Sequence, residues 1–265
     1  MSGRNVASFI PGAAGPLFVL ARRPDRASGR CVLIVPPFAD EMNKCRRMFT
    51  DLASALSERG TASVIADLYG TGDSGGEFRD ATWEQWQKDL RDIADWSAAA
   101  GWPVTHVLAV RLGCLLAIES MGSLPFQCRG TVFWQPVADG KRFVAQFLRL
   151  RLAASLLGTE GKETLKDLRN RLQTQRVLEV AGYELSHDLV AGIERAAMPA
   201  ELDARLGVVH WLEVVRDSAA PAQGLAAPAA ANRARVVGEP FWASTEIVTN
   251  PSLIERTLDA FASAA

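Results

Sequence analysis

One strand-turn-helix segment constrains the fold of this chain more than any other feature. Residues 104–110 form an apolar run of strand length, and an apolar helical run begins at Cys114. Ala109 and Gly113 flank the turn between them, and small residues there let a strand and a helix approach closely. The turn therefore matches a nucleophile elbow, G-x-S-x-G, with Arg111 in the place of the catalytic serine.

The rest of the chain alternates strand patterns with helix patterns. After an N-terminal hairpin, apolar runs of strand length lie at 31–35, 62–66, 130–134, 207–215 and 234–237. Segments with apolar residues at helical spacing lie at 43–59, 82–100 and 253–261. Such alternation predicts an α/β protein with a mostly parallel, doubly wound sheet and helices on both faces.

The alternation stops in the third quarter of the chain. Two or three amphipathic helices rich in Leu, Arg and Lys follow one another there. We therefore predict a helical cap at 139–204, inserted into a core of residues 1–138 and 205–265, which together are long enough for one large α/β unit. An Ala- and Pro-rich stretch at 217–232 predicts a helix or linker.

Composition excludes several classes of partner. The chain of 265 residues has a formal net charge of -1 and is 48% hydrophobic, so it has no strong field for nucleic acid or an anionic membrane. No apolar run approaches the roughly 20 residues of a membrane span. The four cysteines lack C-x-x-C spacing and are expected to be reduced thiols in a cytoplasmic protein. We predict neither a metal site nor a cofactor.

Ligands of open α/β sheets bind outside the carboxyl ends of the strands, so the turns that follow the strands are the candidate binding segments. The loop Pro36–Glu41 follows the first long strand, where this architecture supplies an oxyanion N–H from Phe38 or Ala39. An ordinary proline-stiffened strand exit is the alternative. The candidate binding residues at these turns are Phe38, Ala39, Asp40, Glu41, Leu112 and Trp242.

A serine-type catalytic triad is missing two of its members. A guanidinium such as that of Arg111 stays protonated and cannot attack a carbonyl. The base should be a histidine late in the chain, but none follows His210. His106 and His210 are expected in mid-strand as packed side chains. His187, in the predicted cap, is the one possible base that could reach the cleft.

A partly buried guanidinium needs acceptors, because leaving it without them costs several kcal/mol. Asp139, Asp217 and Glu246 follow late strands, so each is a possible partner of Arg111, and the two aspartates could also be relics of a triad. Trp242 stands in the segment that replaces the catalytic histidine loop. It is expected either to anchor that loop or to line a pocket.

Three other side chains invite a nucleophile interpretation. Ser74 lies in G-D-S-G-G, which is typical of a chymotrypsin-like protease, but no histidine precedes it and its surroundings are βαβ. We interpret that loop as a structural turn. Cys114 and Cys45 lie near helix starts, yet both are predicted to be packed in the core.

Several segments together resemble a known family. They are V-P-P-F-A-D-E-M-N-K-C-R-R-M at 35–48, D-L-Y-G-T-G-D-S-G-G-E-F at 67–78, A-T-W-E-Q-W at 81–86, the V-R-L-G elbow, and E-P-F-W followed by Glu246. They resemble the second α/β-hydrolase-like protein associated with exosortase A systems. The resemblance implies an α/β-hydrolase fold in a bacterial cytoplasmic protein linked to exopolysaccharide synthesis and protein sorting, with arginine at the elbow as a family feature.

Three hypotheses about function follow. The first is a catalytically degenerate α/β-hydrolase that binds an anionic or acyl-bearing small molecule where the elbow N–H groups and Arg111 converge. The second is an active hydrolase or acyltransferase whose water is activated by His187, Glu41 or Glu246. The third is a scaffold whose cap docks on a protein of a polysaccharide locus. The sequence leaves the ligand and the oligomeric state open.

Overall fold

The structure, a computed structural model, describes residues 3–155, 163–217, 219 and 227–264. Ten strands occur in these ranges, and eight of them form one sheet. The strands are β1 (Arg4–Ile10), β2 (Leu17–Arg23), β3 (Cys31–Val35), β4 (Ala62–Ala66), β5 (His106–Val110), β6 (Gly130–Trp134), β7 (Val177–Val180), β8 (Tyr183–Ser186), β9 (Val208–Val215) and β10 (Asn232–Val237).

The large sheet has the strand order β1-β2-β4-β3-β5-β6-β9-β10. β1 and β2 form the antiparallel edge. The other six strands of this sheet, β4, β3, β5, β6, β9 and β10, run parallel to one another. Every residue of β3, β5 and β6 is buried, which explains why these strands are continuous apolar runs without alternation. The predicted mostly parallel sheet is therefore confirmed.

Helices cover both faces of this sheet, as a doubly wound fold requires. The helices of the described residues are α1 (Asp40–Glu58), α2 (Trp83–Ala99), α3 (Gly113–Ser120), α4 (Gly140–Ser155), α5 (Leu165–Gln175), α6 (His187–Arg195) and α7 (Pro251–Ser263). One buried cluster joins α1 and α7 to one face, and a second joins α2 and α3 to the other. Thr82 caps α2 by accepting a hydrogen bond from the Gln85 amide.

The segment 139–204 contains α4, α5 and α6, together with a two-stranded hairpin of β7 and β8 that the sequence interpretation missed. Its aromatic side chains pack on the core: the rings of Phe143 and Phe147 meet Phe38 edge to face at 5.6 and 5.1 Å. Of the predicted helix or linker at 217–232, residues 218 and 220–226 lie outside the described residues, and β10 already begins at Asn232. No helix in the described ranges is long and apolar enough to span a membrane.

Candidate functional site

The turn between β5 and α3 has the backbone of a nucleophile elbow. Arg111 has φ 54°, a left-handed conformation that non-glycine residues rarely adopt. Its amide donates to the Trp134 carbonyl at 3.0 Å, which ties the turn to β6. A Cβ on Gly113 would collide with the carbonyl oxygens of Pro36 and Val35. A glycine is therefore needed for α3 to approach the end of β3 so closely.

The Arg111 side chain points into a set of fixed partners. Its Nε lies 3.2 Å from Glu41 Oε1, and its Nη1 donates to the Gln135 carbonyl at 3.4 Å. The guanidinium carbon also lies 5.3 Å from the centre of the Trp242 ring, within cation–π range. The side chains of Arg111 and Glu41 are only 17% and 21% exposed. Arg111 is thus held between the start of α1 and the loop after β10.

This arrangement corrects the predicted partners of Arg111. Asp139 accepts from the Arg142 amide at 2.7 Å and pairs with that residue's guanidinium. Asp217 accepts from the Ala219 amide at 3.0 Å, and the Glu246 amide donates to Ser244 Oγ. None of the three forms an ion pair with Arg111 within the described part of the chain. The structure pairs Arg111 with Glu41 instead, a residue that the sequence interpretation considered for binding and for water activation but not as the partner of Arg111.

Trp242 anchors its loop. It is buried, and its ring meets that of Phe241 at 5.1 Å, while Phe241 in turn meets Trp134 in the core at 5.8 Å. It lies outside the cavity described below. Trp242 was expected either to anchor its loop or to line a pocket, and in the structure it anchors its loop.

Three non-glycine residues with positive φ lie just after neighbouring strands. Ala39, Arg111 and Gln135 follow β3, β5 and β6 with φ 52°, 54° and 46°. Backbone strain of this kind costs about 1–3 kcal/mol per residue and is concentrated at functional sites. It persists at Gln135 because the side-chain Oε1 of this residue accepts from the Val214 amide at 2.8 Å, which fixes the turn.

Glu41 has an unusual electrostatic environment. Burial raises the pKa of its carboxyl group, and the charge and hydrogen bond of Arg111 offset part of that rise. Its second oxygen, Oε2, is buried and has no hydrogen-bond partner among the residues that the structure describes. The ion pair therefore stabilises a carboxylate that the surrounding protein would otherwise favour in its neutral form.

A cavity of about 430 Å³ lies beside the elbow, within the size range of small-molecule sites. Its walls carry five aromatic side chains: Phe38, Phe78, Trp83, Trp86 and Tyr183. Polar side chains also line it: Asn43, Arg46, Thr71 and Glu77. Arg111 lies outside this lining, so the structure does not support the hypothesis that its guanidinium faces a ligand there.

Residues of the elbow and of the loop after β3 border the cavity: Phe38 and Ala39 follow β3, and Leu112 and Gly113 lie at the start of α3. For the amides of these four residues the structure records no acceptor among the described residues. Buried amide donors are almost always paired, and the start of a helix favours negative charge. The arrangement can bind a carboxylate or carbonyl oxygen.

Among the loop candidates, Asp40 takes no part in this lining. It begins α1 and forms an ion pair with Lys44 at 2.8 Å, on the exposed side of the helix. Phe38, Ala39 and Leu112 do reach the cavity, whereas Glu41 turns toward Arg111.

The three histidines lie away from the cavity. His106 is fully buried at the start of β5, its Nδ1 lies 2.8 Å from Thr105 Oγ1, and burial lowers its pKa to about 4. His210 is half-buried in β9. His187, the possible base, begins α6, and its Nδ1 contacts Arg176 at 2.7 Å and Asp188 at 3.0 Å. The structure therefore brings no histidine to the elbow.

The other nucleophile candidates are structural. Cys45 and Cys114 are fully buried free thiols, and desolvation raises the pKa of each well above its ordinary value. Ser74 is buried, and its Oγ accepts from the Phe18 amide at 2.8 Å, which ties the 67–76 loop to β2. No cluster of three His, Cys, Asp or Glu side chains that could hold a metal occurs in the described residues.

Comparison with known proteins identifies the fold. No family model matches the chain, and no curated protein matches it in sequence. Solved structures match over nearly its whole length. Est1E from Butyrivibrio proteoclasticus with bound ferulic acid is 16% identical, with 97% of this chain and 100% of that chain covered and a TM-score of 0.67.

Two further structures match over similar lengths. A protein from Agrobacterium vitis named as a hydrolase is 17% identical, with 100% and 99% of the two chains covered and a TM-score of 0.62. An α/β serine hydrolase without a lid from Xanthomonas campestris is 14% identical, with 98% and 94% covered and a TM-score of 0.57. The chain has the α/β-hydrolase fold. At these identities the likeness is one of fold, and function must be argued from the site.

Proposed function

We propose that this protein is a catalytically degenerate α/β-hydrolase that binds a small carboxylate or acyl-bearing molecule in the cavity beside its elbow. The observation that carries the proposal is the cavity itself. Residues whose amides have no recorded acceptor border it, as in an enzyme of this fold, but the described residues of its lining include no serine, cysteine or histidine. The Thr71 hydroxyl donates to the Leu68 carbonyl and has no histidine in the lining to act as its base, so the cavity can bind an oxygen atom but offers no activated nucleophile for an acyl-enzyme.

The Arg111–Glu41 pair has a separate role in this proposal. With its charge matched by Glu41, Arg111 would not attract a ligand anion but would hold the emptied catalytic centre together. Anion binding would then rest on the amides of Leu112 and Phe38 or Ala39, because Arg46 on the cavity wall is itself paired with Asp67 at 3.1 Å. Segment 139–204 acts as the cap, since Gly182 and Tyr183 of its hairpin border the same cavity.

A variant in which a larger side chain blocks the cavity tests the proposal. A thermal-shift screen with aliphatic carboxylates, aromatic carboxylates and acyl-CoA thioesters should raise the Tm of the wild type. Asn43→Trp places a large ring at the cavity wall and should abolish that rise. Arg47→Trp is the matched control, because Arg47 is an exposed residue of the same helix outside the lining. A panel without any stabilising compound, or equal stabilisation of the blocked variant, would contradict the proposal.

We further propose, on the sequence resemblance alone, that the protein acts in the bacterial cytoplasm beside exopolysaccharide synthesis and exosortase-dependent sorting. The scaffold hypothesis belongs to this proposal, with a protein of the polysaccharide locus as the partner. Affinity purification of the tagged chain from its native cells tests it. Recovery of a polysaccharide-locus protein is the expected result, and its absence under crosslinking would contradict the partnership.

A further inference from the structure

The β7–β8 hairpin brings one polar side chain into an otherwise aromatic part of the cavity. Ala181 and Gly182 form its turn with φ 51° and 83°, the pair of positive angles that a tight hairpin turn needs. Tyr183 follows directly and lines the cavity. An ion pair between Glu184 and Arg79, at 3.3 Å, joins the hairpin to the 78–80 turn.

Contacts on two sides orient the Tyr183 ring. The ring meets that of Phe78 edge to face at 5.0 Å, and its hydroxyl accepts a hydrogen bond from Asn43 Nδ2 at 3.3 Å. A tyrosine hydroxyl that accepts one bond still has its own proton to donate. For that proton the structure records no acceptor among the described residues. Burial also raises the pKa of this phenol, so it remains a donor at neutral pH.

Polar residues and aromatic rings share the wall of this cavity. Leu112 and Gly113 of the elbow border it, as does Tyr183, and Phe38, Phe78 and Trp86 form a connected set of edge-to-face contacts. Aromatic walls favour a planar aromatic body through the same contacts. Arg46 and Glu77 place one charge of each sign on the cavity wall, and Arg46 is paired with Asp67 at 3.1 Å, so the preference for an anionic group rests on the amide donors at the helix start.

We propose that Tyr183 is a specificity-determining residue that donates a hydrogen bond to an acceptor at the far end of an aromatic carboxylate, whose carboxylate binds the elbow amides. This inference rests on the proposed binding function and narrows its ligand class to aromatic acids with a distal hydroxyl or carbonyl group. No covalent step is involved.

Two probes that differ by one hydroxyl test the inference by calorimetry or tryptophan fluorescence. Wild-type protein should bind 4-hydroxycinnamate about tenfold tighter than cinnamate, the affinity ratio expected for one net hydrogen bond. Tyr183→Phe keeps the ring and should bring the two affinities within about twofold. Tyr69→Phe removes the other tyrosine hydroxyl of the chain, outside the cavity lining, and should leave the preference intact.

The possible outcomes distinguish a failure of the Tyr183 inference from a failure of the proposed binding function. Equal affinity of both probes for the wild type, or a preference that survives in Tyr183→Phe, overturns the role of Tyr183 and leaves the binding function standing. Tighter binding of choline than of either probe overturns the aromatic-acid class. If neither probe binds and no other carboxylate stabilises the protein, the proposed function itself fails.

Discussion

At the scale of single residues, the centre of this site is an ion pair at the turn where an enzyme of this fold holds its nucleophile. The Arg111 guanidinium lies between the Glu41 carboxylate and the Trp242 ring. Both charges are largely shielded from water, so each depends on the other for compensation. The pair therefore fixes the side chain that stands on the strained elbow turn.

Replacing Arg111 with alanine should reveal this dependence. The substitution leaves the Glu41 carboxylate partly buried without its cation, and we expect the free energy of unfolding to fall by about 2 kcal/mol at pH 8. Loss of the arginine removes the strongest opposition to burial, which then raises the pKa of Glu41 further, so the folded state takes up a proton as the pH falls. The loss should therefore be smaller at pH 5, as measured by urea denaturation.

Arg91→Ala is the control for this experiment. Arg91 forms an exposed helical pair with Asp95 at 3.9 Å, and its removal should change the free energy of unfolding by no more than about 0.5 kcal/mol. An Arg111→Ala loss as small as this, or one identical at both pH values, would show that the Arg111–Glu41 pair is not stabilising.

A second residue should give the protein a distinct pH dependence. Asp89 of α2 is fully buried, where it accepts from the Tyr69 amide at 2.8 Å and Gln85 Nε2 at 2.7 Å, and burial raises its pKa to about 6. The folded state thus binds this proton more tightly than the unfolded state. The resulting stabilisation is present below pH ~4 and lost as the pH rises through about 6.

Asp89→Asn removes this titration and keeps the shape of the side chain. Relative to the wild type, the variant should gain roughly 2 kcal/mol in free energy of unfolding between pH 4.5 and pH 8. Over this range the wild type loses the stabilisation that its bound proton provides, and the variant does not. Asp95→Asn, an exposed change on the same helix, should show no such trend. A pH-independent difference for Asp89→Asn would refute the assigned titration.

At the scale of elements, close packing positions the elbow amides at the cavity. Gly113 is the first residue of α3, and its missing side chain allows the helix to approach the end of β3. The loop after β3 and the elbow turn therefore lie side by side, and residues of both border one cavity. The β7–β8 hairpin completes the cavity from a part of the chain distant in sequence.

Gly113→Ala should destabilise the protein although alanine is the better helix former. The new Cβ would meet two backbone oxygens, which cannot move without shifting β3, so we expect a loss of about 2 kcal/mol in free energy of unfolding. Gly122→Ala is the matched control, because Gly122 lies just after the other end of α3. Its Cβ would lie no closer than 3.6 Å to Arg205 Nη2. Equal effects of the two changes would contradict the close-approach argument.

At the scale of the whole molecule, the fold separates its histidines from its elbow. His106 lies at the opposite end of β5 from Arg111, and His210 lies within β9. His187 is held on the surface of α6 by Arg176 and Asp188. A serine placed at position 111 would therefore have no histidine beside it.

Arg111→Ser tests that conclusion. We expect no turnover of p-nitrophenyl esters above the buffer rate and no acyl-enzyme burst, because a serine hydroxyl without a base is a weak nucleophile. The wild type should be equally inactive. That result would favour the hypothesis of a degenerate site over the hypothesis of an active hydrolase or acyltransferase. Turnover by the wild type that is lost in Asn43→Trp would support that alternative instead.

Much of the fold was predictable because short-range patterns specify it. The apolar runs predicted β3, β4 and β6 with their observed bounds. The hairpin at 177–186 was missed, although Gly182 between two short alternating segments is a signal for one. Its strands have only four residues each, which is too short for periodicity to stand out within a helical region.

The sequence by itself determined that the chain has an α/β-hydrolase fold and that Arg111 replaces the serine of the elbow, because periodicity and spacing are local properties of the chain. Only the tertiary structure decided that Arg111 pairs with Glu41, that its guanidinium lies outside the cavity, and that Tyr183 lies inside it. These pairings join residues far apart in sequence, and many carboxylates have the same local pattern. Which one meets the guanidinium depends on how the loops pack across the ends of the strands.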